Sequence, residues 1–331
     1  MHSPRPTRRD VLRATAAGAA VAAIPFVHAQ SSAWPSKPVQ LIVPFPAGGG
    51  TDAFARPLAA QFAEQTKHQL VIDNKGGAGG TVGASIASRA TADGYNFFMG
   101  AVHHTIAPSI YAKLDYDLQK DLIPITLVAR VPQVIVVNPT RLPARDFREF
   151  LAMVKANPGK YNYASAGNGT SHHLAGELFK LQTKTFITHI PYRGAGPALQ
   201  DLITGNADLM FDGLGSSAAH IKGGRIKALM VSGAQRNPAL PDVPSAAEMG
   251  LPDYTVTTWY GIWAPKGTPA DAQQRMADEV RKAIQSERLK AVWASQGAEF
   301  PNLSPQQFAS FIDAETRRWA TVVKASNVKA D

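Results

Sequence analysis

The sequence predicts an α/β fold of two lobes with parallel sheets, joined by two strands that cross between the lobes. The order strand, helix, strand, helix, strand within 39–100 is typical of a parallel sheet, and a similar order recurs in 160–211. Two long extended segments, 127–138 and 255–264, bracket that second module. A chain of 331 residues with 45% hydrophobic content is long enough for two domains. We expect lobe 1 at 34–133 plus 257–331, and lobe 2 at 134–256.

The first lobe opens with a strand, a glycine loop and a helix start. Residues 39–43 have strand character and end at Pro44, and three glycines follow at 48–50. Apolar residues then recur at helical spacing from Thr51 onward. The sequence next predicts short strands at 70–72 and 95–100, a second glycine loop at 74–83 and a helix at 84–90.

The second lobe repeats this design. A strand at 160–164 leads into the small and hydroxyl residues 165–171, where Thr170 or Ser171 caps a helix. The loop 191–196 precedes a helix that we expect to begin at Pro197. The remaining predicted elements are a helix at 147–157, strands at 187–190, 207–211 and 226–232, and two helices after 264 that return to lobe 1, one capped by Thr268-Pro269 and one by the capping box Ser304-Pro305-Gln306-Gln307.

The first 29 residues have the pattern of a cleaved export signal. Arg8 and Arg9 precede an apolar run, and Val27-His28-Ala29 has the small residues that a signal peptidase needs. Paired arginines are typical of twin-arginine export, although an ordinary secretory signal or an uncleaved anchor are alternatives. We expect periplasmic export with cleavage near Ala29. Loss of this segment lowers the formal charge from +9 to +6, because it carries four arginines and one aspartate.

Both glycine-rich helix starts are suited to an anion. The first turn of a helix has backbone N–H groups without intrahelical partners, and the helix dipole adds positive potential there. Ligands of open α/β sheets bind at the carboxyl ends of strands, which would bring Ser165, Arg193 and Asp212 to one edge. A turn without any ligand is the alternative for the opening loop taken alone.

Composition and motifs exclude several other functions. There is no cysteine, so no disulfide, thiol nucleophile or cysteine-ligated metal is possible. Gly77, Gly79 and Gly83 are spaced one residue too far apart for the dinucleotide fingerprint, and no Gly-Lys-Ser/Thr follows a glycine loop. No basic run interleaved with aromatic residues indicates nucleic acid. We expect no cofactor.

Two clusters raise the possibility of catalysis or metal binding. Ser165 lies in Tyr163-Ala164-Ser165-Ala166-Gly167, which lacks the first glycine of a serine hydrolase elbow. The histidine pairs 103–104 and 172–173 lack the H-E-x-x-H pattern of a zinc site, so we expect no metal. His103 and His104 follow a strand end, where they either contact a ligand or form a capped turn.

Arg193 and three aromatic residues leave the ligand's chemistry open. The guanidinium of Arg193 either clamps a carboxylate or braces its loop against Asp201 or Asp212, and we favour bracing. If two of the residues Phe45, Trp259 and Tyr260 face the cleft, a flat or aromatic acid is favoured. Otherwise a short aliphatic diacid is favoured.

A series of motifs resembles one family over essentially the whole mature chain. The motifs are Trp34-Pro35-Ser36-Lys37-Pro38, Pro44-Phe45-Pro46-Ala47-Gly48-Gly49-Gly50-Thr51-Asp52, Gly77-Ala78-Gly79-Gly80, Asp93-Gly94-Tyr95, Ala164-Ser165-Ala166-Gly167, His173-Leu174-Ala175-Gly176-Glu177-Leu178-Phe179 and Pro191-Tyr192-Arg193-Gly194. In order and spacing they resemble the tripartite tricarboxylate transporter substrate-binding proteins, the Bug or TctC-like family. Pro57 departs from the family pattern, and we expect it to kink or shorten the first helix.

This resemblance implies a periplasmic solute receptor with the type II periplasmic binding-protein fold. Such a receptor is not an enzyme; it closes on a small organic mono- or dicarboxylate, aliphatic or aromatic, and delivers it to a two-subunit membrane permease. We expect it to be a monomer. An enzyme that acts on an anionic small molecule in the same cleft is the alternative. The expected ligand-binding residues are Phe45, Ala47, Gly48, Gly49, Thr51, Asp52, His103, His104, Ser165, Gly167, Asn168, Gly169, Thr170, Arg193 and Asp212.

Overall fold

The structure is a computed structural model that describes residues 34–326 and 328–329. The predicted signal peptide at 1–29 lies outside these residues. In the part of the chain that the structure describes, no helix is both long and apolar enough to cross a membrane.

The strands form two mixed sheets that share one long strand. The strands are β1 (Val39–Val43), β2 (Leu70–Asn74), β3 (Asn96–Ala101), β4 (Leu122–Val137), β5 (Asn162–Ser165), β6 (Thr188–Pro191), β7 (Leu209–Gly213), β8 (Lys227–Val231) and β9 (Thr257–Pro265). Across both sheets the strand order is β2-β1-β3-β9-β4-β7-β5-β6, and β8 also pairs with β4. Strands β2, β1 and β3 are parallel in the first lobe, as are β6, β5 and β7 in the second.

The two long strands run antiparallel to each other and join the lobes. Strand β4 pairs with β9 over 122–132, and then with β7 and β8 over 133–137. Because β4 changes partners at this point, the chain passes from one sheet to the other without a loop. The predicted crossing strands are confirmed, and the sheets are parallel only away from these strands.

The helices occupy the faces of both sheets. They are α1 (Gly50–Thr66), α2 (Thr81–Ser88), α3 (His103–Ile110), α4 (Phe147–Ala156), α5 (Ser171–Thr183), α6 (Ala195–Thr204), α7 (Leu214–Lys222), α8 (Ala270–Gln285), α9 (Glu287–Ala294) and α10 (Pro305–Ser326). Helix α1 continues through Pro57 for 17 residues, so the expected shortening is wrong. Helix α6 begins at Ala195, two residues before Pro197. The capping box is confirmed by reciprocal hydrogen bonds between Ser304 and Gln307.

The C-terminal helix returns to cover the first lobe, as expected. Phe308, Ile312 and Trp319 of α10 are buried in the main hydrophobic cluster with Trp259 of β9. The indole N–H of Trp259 donates to Oε2 of Glu315 (2.9 Å), which satisfies a polar group inside this core. Trp259 is thus a core residue, and its indole is hydrogen-bonded to Glu315 of α10.

Candidate functional site

The opening loop of the first lobe is held by Asp52. The Oδ2 atom of this carboxylate accepts from the backbone N–H of Gly48 (3.0 Å) and from Nε of Arg56 (2.7 Å), and Oδ1 accepts from the amide of Asn74 (3.2 Å). Gly48 has φ +84°, which favours glycine, whereas Gly49 is extended and caps α1. Asp52 is 3% exposed, so its structural role is to shape the loop.

The first turn of α1 presents backbone donors. The first helical hydrogen bond runs from the N–H of Ala53 to the carbonyl of Gly49 (2.9 Å). The N–H groups of Gly50 and Thr51 therefore precede the hydrogen-bonded part of the helix. Their arrangement has the geometry of a helix N-terminal anion site.

The loop before α5 forms the opposite wall. Thr170 is the N-cap, and its hydroxyl donates to the carbonyl of Gly167 (2.8 Å) and accepts from the N–H of His173 (3.5 Å). The hydroxyl of Ser165 accepts from the N–H of Gly167 (3.1 Å) and lies 2.6 Å from Nε2 of His189. Ser165 is fully buried, so it supports the loop and is not accessible for attack on a substrate.

Loops of the two lobes are in direct contact. The N–H of Ser171 donates to Nδ1 of His103 (3.0 Å), and the hydroxyl of Tyr111 donates to the carbonyl of Asn168 (3.3 Å). A Cβ atom at Gly196 would lie 2.7 Å from the carbonyl oxygen of Ala47. The structure is therefore a closed arrangement of the two lobes.

Two adjoining cavities lie between these loops. The larger one has a volume of about 280 Å³ and is lined by Phe45, Gly77, Ala78, Gly79, Gly80, Tyr111, Ala166, Gly167, Asn168, Pro191, Tyr192 and Arg193. The smaller, deeper one has a volume of about 10 Å³, near that of one water, and is lined by Phe45, Gly49, Gly50, Thr51, His103, Ala166, His172, Ala195 and Tyr260. Phe45 and Ala166 line both cavities, so the two cavities adjoin each other.

The expected site residues divide into lining and supporting groups. Phe45, Gly49, Thr51, His103, Gly167, Asn168 and Arg193 line these cavities. Ala47, Gly48, Asp52, His104, Ser165, Gly169, Thr170 and Asp212 line neither of the two. Sequence reasoning missed Tyr111 and His172 as lining residues. Tyr111 carried no sequence signal, because it reaches the site only through the packing of α3.

Comparison with known proteins identifies the family. A family model described as "Tripartite tricarboxylate transporter family receptor" matches residues 54–328. The chain belongs to this family. The family is one of receptors, so the prediction of a non-enzymatic solute-binding receptor is confirmed.

Solved structures confirm the fold of this receptor. The periplasmic binding protein BugD is 33% identical, with a TM-score of 0.86, and the match covers 90% of this chain and 100% of BugD. R. palustris Rpa4515, solved with adipate, has the same identity, score and coverage. MatC from Rhodopseudomonas palustris, solved with bound malate, is 32% identical with a TM-score of 0.82, covering 88% of this chain and 100% of MatC. The predicted two-lobed binding-protein fold is confirmed.

Burial keeps the histidines near the cavities of this receptor neutral. Desolvation, followed by the neighbouring His172 and His104, lowers the pKa of His103 well below its usual value. Desolvation lowers the pKa of His104 to about 4, against the opposing effect of hydrogen bonds from its ring nitrogens to the carbonyls of Ala101 (2.9 Å) and Gly80 (3.3 Å). Because Nε2 of His104 lies 3.3 Å from the carbonyl of Gly80, this side chain supports the Gly77–Gly80 turn.

Asp212 lies behind the deeper cavity, with no exposed surface. Its Oδ2 atom accepts from the hydroxyls of Ser216 (2.7 Å) and Ser217 (2.5 Å). Desolvation raises the pKa of Asp212, while the nearby His172 and the serine hydroxyls act in the opposite direction. Nδ1 of His172 lies 3.6 Å from Oδ1 of Asp212.

The expected brace from Arg193 is not formed. Among the described residues, the exposed guanidinium makes no ion pair or hydrogen bond; Asp201 instead accepts from the hydroxyl of Tyr192 (2.8 Å). Arg193 lines the larger cavity. Within the described ranges, no group of three or more histidine, aspartate or glutamate side chains could hold a metal ion.

Proposed function

We propose that this receptor captures a small organic acid with one carboxylate at the start of α1 and delivers it to a two-subunit membrane permease. The observation that carries this proposal is the position of Gly49, Gly50 and Thr51 on the wall of the deeper cavity, where the first-turn N–H groups precede the helical hydrogen bonds. The solved relatives with adipate and malate support a carboxylate as the ligand class. The Nε2–H of His103 adds a neutral donor to this wall, because its Nδ1 already accepts from Ser171.

We assign the far end of the ligand to Arg193. Its guanidinium lies on the wall of the larger cavity, and the planar fork suits bidentate binding of a second carboxylate. Asn168 lines the same cavity. A dicarboxylate that spans both cavities would satisfy donors of both lobes, which couples binding to closure.

An aromatic or otherwise flat acid is a second candidate. The rings of Phe45, Tyr111 and Tyr192 line the larger cavity, and Phe45 and Tyr260 line the deeper one. Two of the three aromatic residues weighed from the sequence thus face the cleft, which favours a flat ligand by that criterion. Adipate and malate, the ligands of the two relatives, are aliphatic.

We further propose a monomeric receptor in the periplasm, exported by a twin-arginine signal and cleaved near Ala29. Hinge bending would move lobe 1 (34–133 plus 257–331) against lobe 2 (134–256), since β4 changes sheets near Pro132. Blocking the twin-arginine pathway, or replacing Arg8 and Arg9 with lysine, should retain the precursor in the cytoplasm. Continued export of these variants would contradict the twin-arginine type of signal but not the periplasmic location.

Thermal unfolding of the mature chain against adipate, malate, citrate, benzoate and terephthalate tests the ligand class. A ligand that binds only the folded state raises the unfolding temperature by mass action, and a concentration of about 100 times Kd adds about 2.7 kcal/mol. We expect a shift for at least one acid and none for its amide. The absence of any shift at millimolar acid would refute the carboxylate assignment, and steady hydrolysis of an ester or amide substrate would support the enzyme alternative.

A further inference from the structure

His172 and Asp212 form a buried pair at the floor of the deeper cavity. His172 lies in the first turn of α5, and the two side chains are 5% and 0% exposed. Nδ1 of His172 faces Oδ1 of Asp212 at 3.6 Å, and among the described residues neither atom has a hydrogen-bond partner. His172 also lines the deeper cavity, together with Thr51 and His103. The pair therefore connects a buried carboxylate to the proposed position of the ligand's carboxylate.

His172 differs from the other two imidazoles near this cavity. Nδ1 of His103 accepts from the N–H of Ser171, so a proton added there would place two N–H groups against each other. Nδ1 of His104 lies 2.9 Å from the carbonyl and 3.0 Å from the N–H of Ala101, and Nε2 lies 3.3 Å from the carbonyl of Gly80, so both nitrogens face backbone groups and neither faces a carboxylate. Of the three, His172 has a ring nitrogen facing a carboxylate oxygen, where a second proton would be stabilised.

Among the described residues, the groups that act on this pair carry no other positive charge. Asp212 is flanked by the hydroxyls of Ser216 and Ser217, and the buried Tyr260 and the half-buried His220 act on it at longer range. From α3, His103 faces the ring of His172 at 5.7 Å between ring centroids. A second carboxylate in this closed space would place two negative charges on either side of a neutral imidazole. Burial of unpaired charge is costly, and protonation of the imidazole between the two carboxylates relieves it.

We infer that the His172–Asp212 pair takes up a proton when a carboxylate binds, so that this receptor recognises its ligand as an acid together with one proton. The inference rests on the proposed function, because it requires a carboxylate at the deeper cavity. The proton comes from solvent, and no bond other than N–H is made. In the free protein, desolvation lowers the pKa of His172 and the charge of Asp212 acts to raise it. The negative charge of a bound carboxylate would also raise this pKa. Affinity should therefore increase as the pH falls.

Calorimetry in two buffers measures this proton directly. Mature wild-type protein is titrated with each of adipate, malate, citrate, benzoate and terephthalate at about pH 7, in phosphate and in Tris, whose ionisation enthalpies differ. We expect the apparent binding enthalpy to differ between the buffers by an amount that corresponds to uptake of up to one proton. Over the range in which the pair titrates, affinity should weaken by up to about tenfold per pH unit as the pH rises.

Two variants assign the proton. His172→Gln should bind the same acid with no buffer-dependent enthalpy, whereas the control His68→Gln, in the turn between α1 and β2, should keep the wild-type uptake. If His172→Gln does not fold, imidazole ¹⁵N shifts of the wild type report the same event, because His172 should become doubly protonated only with the acid bound.

The outcomes separate the two proposals. Binding of an acid with equal enthalpies in both buffers would overturn the proton inference and leave the receptor function intact. Uptake that persists in His172→Gln, or an imidazole signal that stays neutral in the complex, would overturn the assignment to this pair. If none of the acids binds, the carboxylate function fails, and the proton inference fails with it.

Discussion

The backbone N–H of Ser171 donates a 3.0 Å hydrogen bond to Nδ1 of His103, and this bond joins the first turns of two helices that belong to different lobes. It has two effects. It satisfies an N-terminal donor of α5 that has no partner within its own helix, and it leaves the proton of the neutral imidazole on Nε2, in a side chain that lines the deeper cavity. One side chain thus joins the two lobes and lines the deeper cavity.

Replacement of His103 should separate these two effects. In His103→Asn the side-chain oxygen can take the place of Nδ1 and keep the bond to Ser171, whereas in His103→Gln the amide nitrogen can take the place of Nε2 and the bond is lost. We expect His103→Gln to favour the open form, which small-angle scattering detects as a larger radius of gyration. Loss of the bond should weaken the closed form by about 1–2 kcal/mol. Equal scattering profiles for the two variants would contradict a closure role.

Gly196→Ala should prevent full closure. A Cβ atom there would lie 2.7 Å from the carbonyl oxygen of Ala47 in the opposite lobe, a contact with backbone that cannot move aside cheaply. Gln200→Ala, on the exposed face of the same helix and outside both cavities, is the control. We expect Gly196→Ala to lose at least about tenfold in acid affinity, or about 1.4 kcal/mol, with nearly unchanged unfolding. Calorimetric affinities that match for the two variants would refute this.

Asp52→Ala should destabilise the folded protein. It removes the acceptor of the Gly48 N–H and the charged partner of Arg56, which leaves a buried loop without its brace. We expect a loss of about 1–3 kcal/mol in urea unfolding. Asp278→Ala, which removes an exposed ion pair with Arg281, should cost less than about 1 kcal/mol. If Asp52→Ala were as stable as Asp278→Ala but bound no acid, Asp52 would instead be a direct ligand contact.

Arg193→Gln should discriminate diacids from monoacids. If the guanidinium holds the second carboxylate, its loss should weaken the binding of a diacid by about 1.5–3 kcal/mol and leave the binding of the corresponding monoacid unchanged. Arg148→Gln removes an exposed arginine of the same lobe, on α4, away from both cavities, and should change neither affinity. An equal loss of affinity for the monoacid and the diacid would indicate that Arg193 attracts anions in general and does not bind the second carboxylate.

Stability should fall as the pH drops from about 6.5 to about 4, because His104 is held neutral in the folded protein. In the unfolded chain this histidine has its ordinary pKa of 6.5, whereas burial lowers the pKa of His104 to about 4 in the folded state. Within this window the unfolded state holds more protons, so each such group contributes up to about 1.4 kcal/mol per pH unit of lost stability. Urea unfolding of His104→Gln should show a shallower pH slope than the wild type, whatever its absolute stability.

The elements with strong local signals were predicted well. The strand–glycine–helix start at 39–51 and the Thr170 N-cap follow from short-range hydrogen bonding and φ preferences, and both are present. Helix α3 was missed because it begins with His103 and His104, which are weak caps, and contains Pro108. Its formation depends on burial against α10 and the first sheet.

The site was predicted less completely, because a list of residues near strand ends does not specify where side chains point. Asp52 and Ser165 follow the expected loops, yet their polar atoms are used within the protein. Arg193 was expected to brace its loop, but Tyr192 takes Asp201 in its place.

Local patterning was sufficient for the α/β fold class and the two helix starts that can bind an anion, since these depend on residue order, periodicity and glycine placement, and the resemblance of a series of motifs indicated the family. Tertiary structure decided which donors face the cleft, that His103 joins the lobes, and that His172 and Asp212 meet. These relationships bring together residues distant in sequence, and lobe packing sets their distances and burial.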